Sequence, residues 1–437
     1  MSEQATTEQA THGHTAPERT TCCVVGGGPA GMMLGLLLAR AGVEVTVLEK
    51  HGDFLRDFRG DTVHPTTLDL LDDLGLGERF AALPQSRVTE VVLPDERGGA
   101  QRMGNFDLLA RVGVRHPYVA LVPQWDLLDL LADAGRAEPS FHLRMDTRAT
   151  GLVREDGRVA GIRYATTTGP DGEQVTGEIR ADLTVACDGR HSLLRDESGL
   201  PLTEFDVPFD TWWFRLPRHA DEDTATLVPR IGKGRFAVVI PREGYFQIGY
   251  LAPKGGDAQL RATGVEAFRA DVAELMPEFA DRVGAITSID DVKHLDVQLN
   301  RLRRWNVDGL LCIGDAAHAM SPIGGVGINL AIQDAVATAT LLAPRLAAGT
   351  PVPADAAARV RNRRLLPTML VQGLQRAMHA NIAGPSLRGE LDGPPAPLLR
   401  LVRRFPILQI VPAYLVGVGF RPERAPAFAR RSPAPVG

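Results

Sequence analysis

The chain has 437 residues, 44% hydrophobic and 23% charged, enough for two or three domains at roughly 150 residues each and typical of a globular protein rather than a disordered or collagen-like one. A formal net charge of -5, from 48 Lys+Arg against 53 Asp+Glu, argues against a general grip on nucleic acid. Four cysteines make no disulfide scaffold, and no run reaches the eighteen or so apolar residues of a spanning helix.

Residues 1–20 carry no apolar face and no signal-peptide pattern, so they read as a disordered leader of a cytoplasmic protein. Thr21 to Val25 reads as a buried strand, Ala30 to Ala41 as a helix stopped by Gly42, and Val43 to Leu48 as a second strand, a βαβ start. Short helices follow at Thr66 to Leu74 and Trp125 to Ala134. Residues 149–182 alternate and turn at Asp156-Gly157 and Gly169-Pro170-Asp171-Gly172, as hairpin strands do, before Leu183 to Ala186 rejoins the central sheet. From Pro201 to Leu251, aromatic and β-branched runs separated by turns predict an antiparallel sheet, with a helix from Gly264 to Phe279 behind it. Gly309 to Ile313 is again a buried strand, followed by long helices at Val326 to Leu346 and Ala356 to Met378. All four cysteines, Cys22, Cys23, Cys187 and Cys312, fall in apolar runs and read as small buried hydrophobes.

The sharpest motif is VVGGGPAG, residues 24–31. Gly26, Gly28 and Gly31 have the GxGxxG spacing after a strand and into a helix whose free N–H groups can hold a pyrophosphate beside Pro29 and Ala30. Glu49, followed by Lys50, ends the second strand, where its carboxylate can bond both hydroxyls of an adenosine ribose. NAD and FAD share this logic. The segment GDAAHAMSPIGGVGINLAIQDA, from Gly314 to Ala335, favours FAD: Asp315 at a strand end suits a polyol, and Gly325 and Gly327 let backbone N–H groups approach a ring. His318 reads as ordering this turn, and Gln333 and Asp334 as serving helix packing and solvent. With no paired histidine at ligand spacing near these acids, no metal is expected.

These motifs, together with CDGRHSLLR at 187–195, make the chain from about Thr21 to about Met378 resemble the class A FAD-dependent aromatic monooxygenases, the group of para-hydroxybenzoate and ubiquinone-pathway hydroxylases. The resemblance implies an α/β fold: a Rossmann-like FAD-binding domain of the glutathione-reductase type interleaved with an antiparallel-sheet substrate domain, plus C-terminal helices. The segments expected are 21–80, 111–200 and 296–350 for the FAD domain, 81–110 and 201–295 for the substrate domain, and 351–437 for a helical extension. It implies that Asp315 binds the ribityl chain and that the loop from Pro322 through Gly325, Gly327, Ile328 and Asn329 lies beside the isoalloxazine. Asp188, with Gly189, supports the fold near FAD and the NAD(P)H approach, and Arg59 reaches the pyrophosphate. Many relatives carry an arginine where this chain has Gln124, which brings no charge. The implied reaction uses NAD(P)H and O2 as cosubstrates and hydroxylates an aromatic or polyketide-like small molecule through a flavin C4a-hydroperoxide.

Pocket candidates on the middle sheet are Trp212, Phe214, Phe236, Val238, Tyr245, Phe246 and Tyr250, with Pro322 from the flavin side. Trp212 and Phe214 share one strand face, and Trp213 and Arg215 the other. His64, Arg215 and Tyr245 are candidates to bind or deprotonate a phenol. The basic and apolar tail, 398–420, reads as packing over the second domain, with peripheral contact to a lipid surface or passage of a quinone-like substrate as its rival. The sequence suits a monomer or homodimer. Other readings are an alkene reductase of the geranylgeranyl-reductase type and a non-enzymatic FAD-binding protein; the lysine and tryptophan-rich signature of flavin halogenases is absent.

Overall fold

The computed structural model describes residues 18–55, 62–94, 100–168, 172–222, 226–232, 234–390, 400–402 and 404–432. Its first strand, Glu18–Val25, ends in four fully buried residues, Cys22 to Val25, as a strand covered on both faces requires. It pairs in parallel with Val45–Leu48 on one side and Glu173–Ala186 on the other. Phe141–Arg144 and Leu310–Cys312 extend this parallel sheet at its two ends. The hairpin strands and the return strand expected separately are partly one: Glu173–Ala186 pairs antiparallel with Arg158–Thr168 along its first half, then enters the parallel sheet.

The second sheet has seven strands, in the order Lys293–Leu295, Phe209–Pro217, Tyr245–Pro253, Arg235–Pro241, Thr226–Gly232, Glu90–Pro94 and Ala100–Asn105. Glu90–Pro94 and Ala100–Asn105 thus join the middle section, from which they are separated by more than a hundred residues of chain, whereas Ser86–Val88 pairs with Val119–Leu121 in a separate three-stranded sheet. One face of this sheet is sealed by the helix Asp257–Leu275, which begins ahead of the expected Gly264; that glycine instead breaks the helix with a φ of 80°. Trp212, Phe214, Leu216, Phe246, Ile248 and Tyr250 pack beneath it against Phe268, Val272 and Met276.

The long helix Gly327–Ala347 packs along the glycine-motif helix Pro29–Arg40, and Ala354–Met378 packs on it in turn before a π-turn at His379–Ala383. The C-terminal segment is a strap. Its helix Ile410–Gly417 sits against Ala100–Asn105 and the 3-10 turn Phe106–Val112, and its end returns to the first domain, where Arg40 Nη1 donates to the Ala429 carbonyl at 2.9 Å and the Arg431 N–H to the Asp73 carbonyl at 3.1 Å.

Candidate functional site

Each glycine of the first motif has a separate reason to be there. Gly26 adopts a φ of +109°, and a Cβ on it would run into the Cys187 carbonyl. A Cβ on Gly31 would strike the Gly26 carbonyl. Gly28 is different: a Cβ there would meet nothing within 4 Å, so the fold itself does not need the glycine, whereas a ligand approaching the backbone would. Pro29 is the first helical residue, no side chain caps this helix, and no acid lies in its first turn, which leaves its N–H groups and positive dipole end for an anion. Ala30 is buried beneath. Glu49, also buried, accepts from the Gly27 N–H at 2.9 Å and the His51 N–H at 3.1 Å, which fixes its carboxylate beside the glycine turn; Lys50 is exposed. Arg59 lies outside the described residues. Gln124 is the first residue of the helix Gln124–Arg136.

The second turn meets the first. Gly314, at φ +60°, lies against Ala30 and Ala331, so the helix starting at Pro29 and the Asp315 turn are held side by side. Asp315 is partly exposed, and its Oδ2 lies 3.5 Å from Arg190 Nη2, a partner that sequence reasoning missed. Asp188 does not present a free carboxylate: it accepts from Ser192 Oγ at 2.5 Å and from the Leu194 N–H at 3.3 Å, shaping the turn into Leu193–Ser198. Burial pushes its carboxyl above the ordinary range, against these bonds.

The Pro322 to Gly327 loop is clamped from both sides. Asn329 Oδ1 accepts from the His64 N–H at 2.9 Å and Thr67 Oγ1 at 2.8 Å, while its Nδ2 donates to the Thr62 carbonyl at 3.0 Å and to the loop's Gly325 carbonyl at 3.3 Å. Gln375 Nε2 donates to the carbonyls of Ser321 at 2.8 Å and Ile323 at 2.9 Å, and His379 Nε2 lies 2.9 Å from Ser321 Oγ. Neither Gln375 nor His379 stood out in the sequence; their one-turn spacing on an arginine-rich helix carries no motif. Gly327 and Ile328 open a helix with no side-chain cap and no acid in its first turn, a second positive end facing the site.

Behind this loop is a buried charge network. Asp334 Oδ2 lies 2.6 Å from His318 Nε2 and accepts from the Gly314 N–H at 3.2 Å; Asp334 Oδ1 accepts from Arg364 Nε at 3.0 Å. Arg364 and Arg363 both approach Glu423 of the strap, at 3.6 and 2.6 Å, and the Glu423 N–H donates to Gln333. His318 therefore does order the turn, but Asp334 and Gln333 are buried, and the expected share of solvent is wrong because the strap covers them. Burial raises the Asp334 carboxyl, yet His318 and Arg364 outweigh it and hold the group below the usual carboxylate range.

Of the three catalytic candidates, Arg215 and Tyr245 meet each other, and His64 is buried under the strap. His64 is fully buried, and burial pushes its imidazole down to about 4 against a hydrogen bond to the Val416 carbonyl. Arg215 stacks on Tyr245, 4.9 Å from the ring centroid, at the end of the strand pair where Pro217 stands opposite Tyr245. Pocket candidates Trp212, Phe214, Phe246 and Tyr250 are corrected: they lie on the face sealed by Asp257–Leu275, because its Phe268, Val272 and Met276 bury that face. Phe236 and Val238 are on the other face, where Ile323 of the loop packs against their cluster. Strand pairing puts Trp213, Gly249, Gln247 and Leu251 on that same face. Among the described residues, Asp69, Asp72 and His116 form an acid and histidine cluster, but the Arg115 guanidinium already sits on it, 3.2 Å from Asp69 and 3.3 Å from Asp73. Cys22, Cys23 and Cys312 are fully buried, and burial pushes the Cys23 thiol up to about 12.

These residues fit an extended flavin dinucleotide: a carboxylate for a ribose, a glycine turn with open space, an aspartate beside it, and a second helix end. Comparison with known proteins agrees. The family described as "FAD binding domain" matches residues 19–365. The chain is 36% identical over 340 residues to 6-methylpretetramide 4-monooxygenase of Streptomyces rimosus, covering 76% of this chain and 78% of that protein. It is 28% identical over 349 residues to protoasukamycin 4-monooxygenase of Streptomyces nodosus subsp. asukaensis, covering 78% and 84%. A crystal structure of a probable FAD-dependent monooxygenase from Pseudomonas aeruginosa shares the fold, with a TM-score of 0.69 at 22% identity, covering 86% of this chain and 100% of that one.

Proposed function

We propose a function from one premise: this chain belongs to the FAD-binding family of class A aromatic monooxygenases. It is a flavin-dependent hydroxylase, and the reading added here is that it uses NAD(P)H and O2 to hydroxylate an aromatic polyketide-type molecule. The observation that carries it is the convergence of two uncapped helix ends, at Pro29 and Gly327, on the turn bearing Asp315. The similarity to relatives named for 4-monooxygenation of a pretetramide and of protoasukamycin supports the substrate class.

When bound, FAD supplies the oxygen activation: it carries two electrons from the nicotinamide to O2, one oxygen atom entering the aromatic ring and the other leaving as water. The chain's own residues bind, orient and exclude water. Glu49 would hold the adenosine ribose, the amides after Gly28 the pyrophosphate, and Asp315 the ribityl hydroxyls. The amides of Gly327 and Ile328, at a positive helix end, would lie beside the ring and offer it hydrogen-bond donors. The Pro322 loop, pinned by Gln375 and Asn329, faces the open side of the seven-stranded sheet, whose Phe236, Val238 and Leu251 supply an apolar, water-excluding wall. The four free thiols fit a reducing, cytoplasmic setting.

The test is reduction of the purified holoenzyme by NADH and NADPH with a panel of anthrone, naphthacene and simple phenol substrates under 18O2. Label in one product hydroxyl, with NAD(P)H consumption stimulated by the same compound, supports the reading. A product formed without label, or flavin that neither donor reduces, rejects it.

A further inference from the structure

Trp213 stands on the open face of the seven-stranded sheet, and its indole Nε1 is buried with no hydrogen-bond partner. An N–H left in that condition has lost its hydrogen bonds to water with nothing in exchange, which native folds rarely leave uncompensated. The neighbouring Trp212 shows the ordinary solution: on the opposite face, its Nε1 donates to Asp257 Oδ1 at 2.9 Å. Thr211 repeats the pattern of Trp213. Two residues earlier on the strand, and so on the same face, its buried hydroxyl also lacks a partner.

The surroundings are shaped around the Trp213 ring. Directly across the strand pair is Gly249, where a Cβ would come within 2.8 Å of the indole, so the glycine lets the ring lie close to the sheet. The ring packs into a cluster that includes Ile240, Val238, Phe106 and, from the strap, Ala413, Ile410 and Val416. Val416 also packs against the cluster of Met320, Val326 and Leu330 around the Pro-Gly loop, so the strap helix spans from the Trp213 side of the sheet to the flavin loop. An apolar wall bearing an unpaired donor suits a flat apolar ligand with an oxygen on its rim.

We propose that Trp213 is a substrate-positioning residue, whose indole N–H donates to a keto or phenolic oxygen on the rim of a polycyclic aromatic substrate held between the sheet and the strap helix. This rests on the hydroxylase reading above. The donor orients the ring system, and the strap residues Ile410 and Val416 exclude water from its edge.

The experiment is equilibrium binding to the FAD-loaded enzyme, read from perturbation of the flavin absorbance and from calorimetry, with 1,8-dihydroxyanthraquinone and anthracene as probes. Trp213→Phe keeps a ring and removes the N–H. Its expected effect is about ten-fold weaker binding of the oxygenated probe, with anthracene affinity changed less than two-fold; a Gly249→Ala variant, which pushes the indole from the sheet, should give the same split. Thermal midpoint and FAD content measured alongside identify a variant that fails to fold, and then Gly249→Ala decides the matter. Equal losses for both probes, no loss for either, or no binding of either probe to the wild type overturns the proposal. Because no turnover is read, its failure is distinguishable from failure of the hydroxylase reading, which the 18O label decides.

Discussion

At the scale of single residues, the three glycines of the first motif divide into two kinds. Gly31 is required by the protein, since a methyl group there strikes the Gly26 carbonyl, whereas Gly28 borders open space. Gly31→Ala is therefore expected to destabilise the apoprotein by about 2 kcal/mol or more through a forced backbone shift. Gly28→Ala should leave the apoprotein's denaturation midpoint close to wild type and lose FAD. Denaturation curves and the flavin-to-protein absorbance ratio of both variants check this. A GxGxxG spacing makes the three positions look equivalent; their difference arises from what stands opposite each.

His64 provides a pH prediction at the same scale. Its folded value of about 4 lies below the ordinary 6.5 because burial disfavours the charged ring. The unfolded chain then binds the proton more readily, so stability is full above about pH 6.5, falls as the pH drops, and levels off below about pH 4. Lowering the pH from 6.5 to 5 should cost about 2 kcal/mol from this residue. Urea denaturation across that range should show a flatter profile for His64→Gln; parallel profiles refute the assignment. The sequence marked this histidine as a phenol base, since nothing local indicates that Val416, far along the chain, closes over it.

At the scale of elements, the flavin loop owes its position to the helix Ala354–Met378. Gln375 satisfies two loop carbonyls and accepts from the Ser321 N–H at 3.3 Å. Gln375→Ala leaves these groups unpaired, with an expected stability loss of about 1–3 kcal/mol. A loosened loop should also release more hydrogen peroxide per NAD(P)H consumed, which a coupled peroxidase assay measures; unchanged coupling would show that the loop needs no such clamp. The second sheet supplies the complementary lesson. Alternation in Phe209–Pro217 was legible, down to which residues share a face, but not which face is open. That choice belongs to Asp257–Leu275, whose buried Phe268 and Val272 cover Trp212 and leave Trp213 uncovered.

At the scale of the whole molecule, the strap after Gln409 ties the two domains together. Glu423 is buried between Arg363 and Arg364, and the latter reaches Asp334 and through it the Gly314 turn. Glu423→Gln removes one charge from a buried network and should cost about 3 kcal/mol, because Arg364 stays buried with less compensation. Its thermal midpoint should fall, and FAD affinity should fall with it if the network holds the Asp315 turn; fluorescence titration of apoprotein with FAD gives the second reading. No helix among the described residues is long and apolar enough to cross a membrane, and Ile410–Gly417 packs its Ala413 and Gly417 inward while Val411 and Tyr414 remain exposed.

The dinucleotide motif, the βαβ start and the Asp315 turn could be read from the linear chain because their chemistry is local: a glycine, a helix end and a carboxylate lie within one short stretch of chain, Gly26 to Glu49 or Gly314 to Gly327. The open face of the sheet, the clamp from Gln375 and the burial of Asp334 and His64 could not. Each depends on a segment brought from far along the chain to exclude water, and burial by a distant partner leaves no periodicity or spacing in the residues it covers.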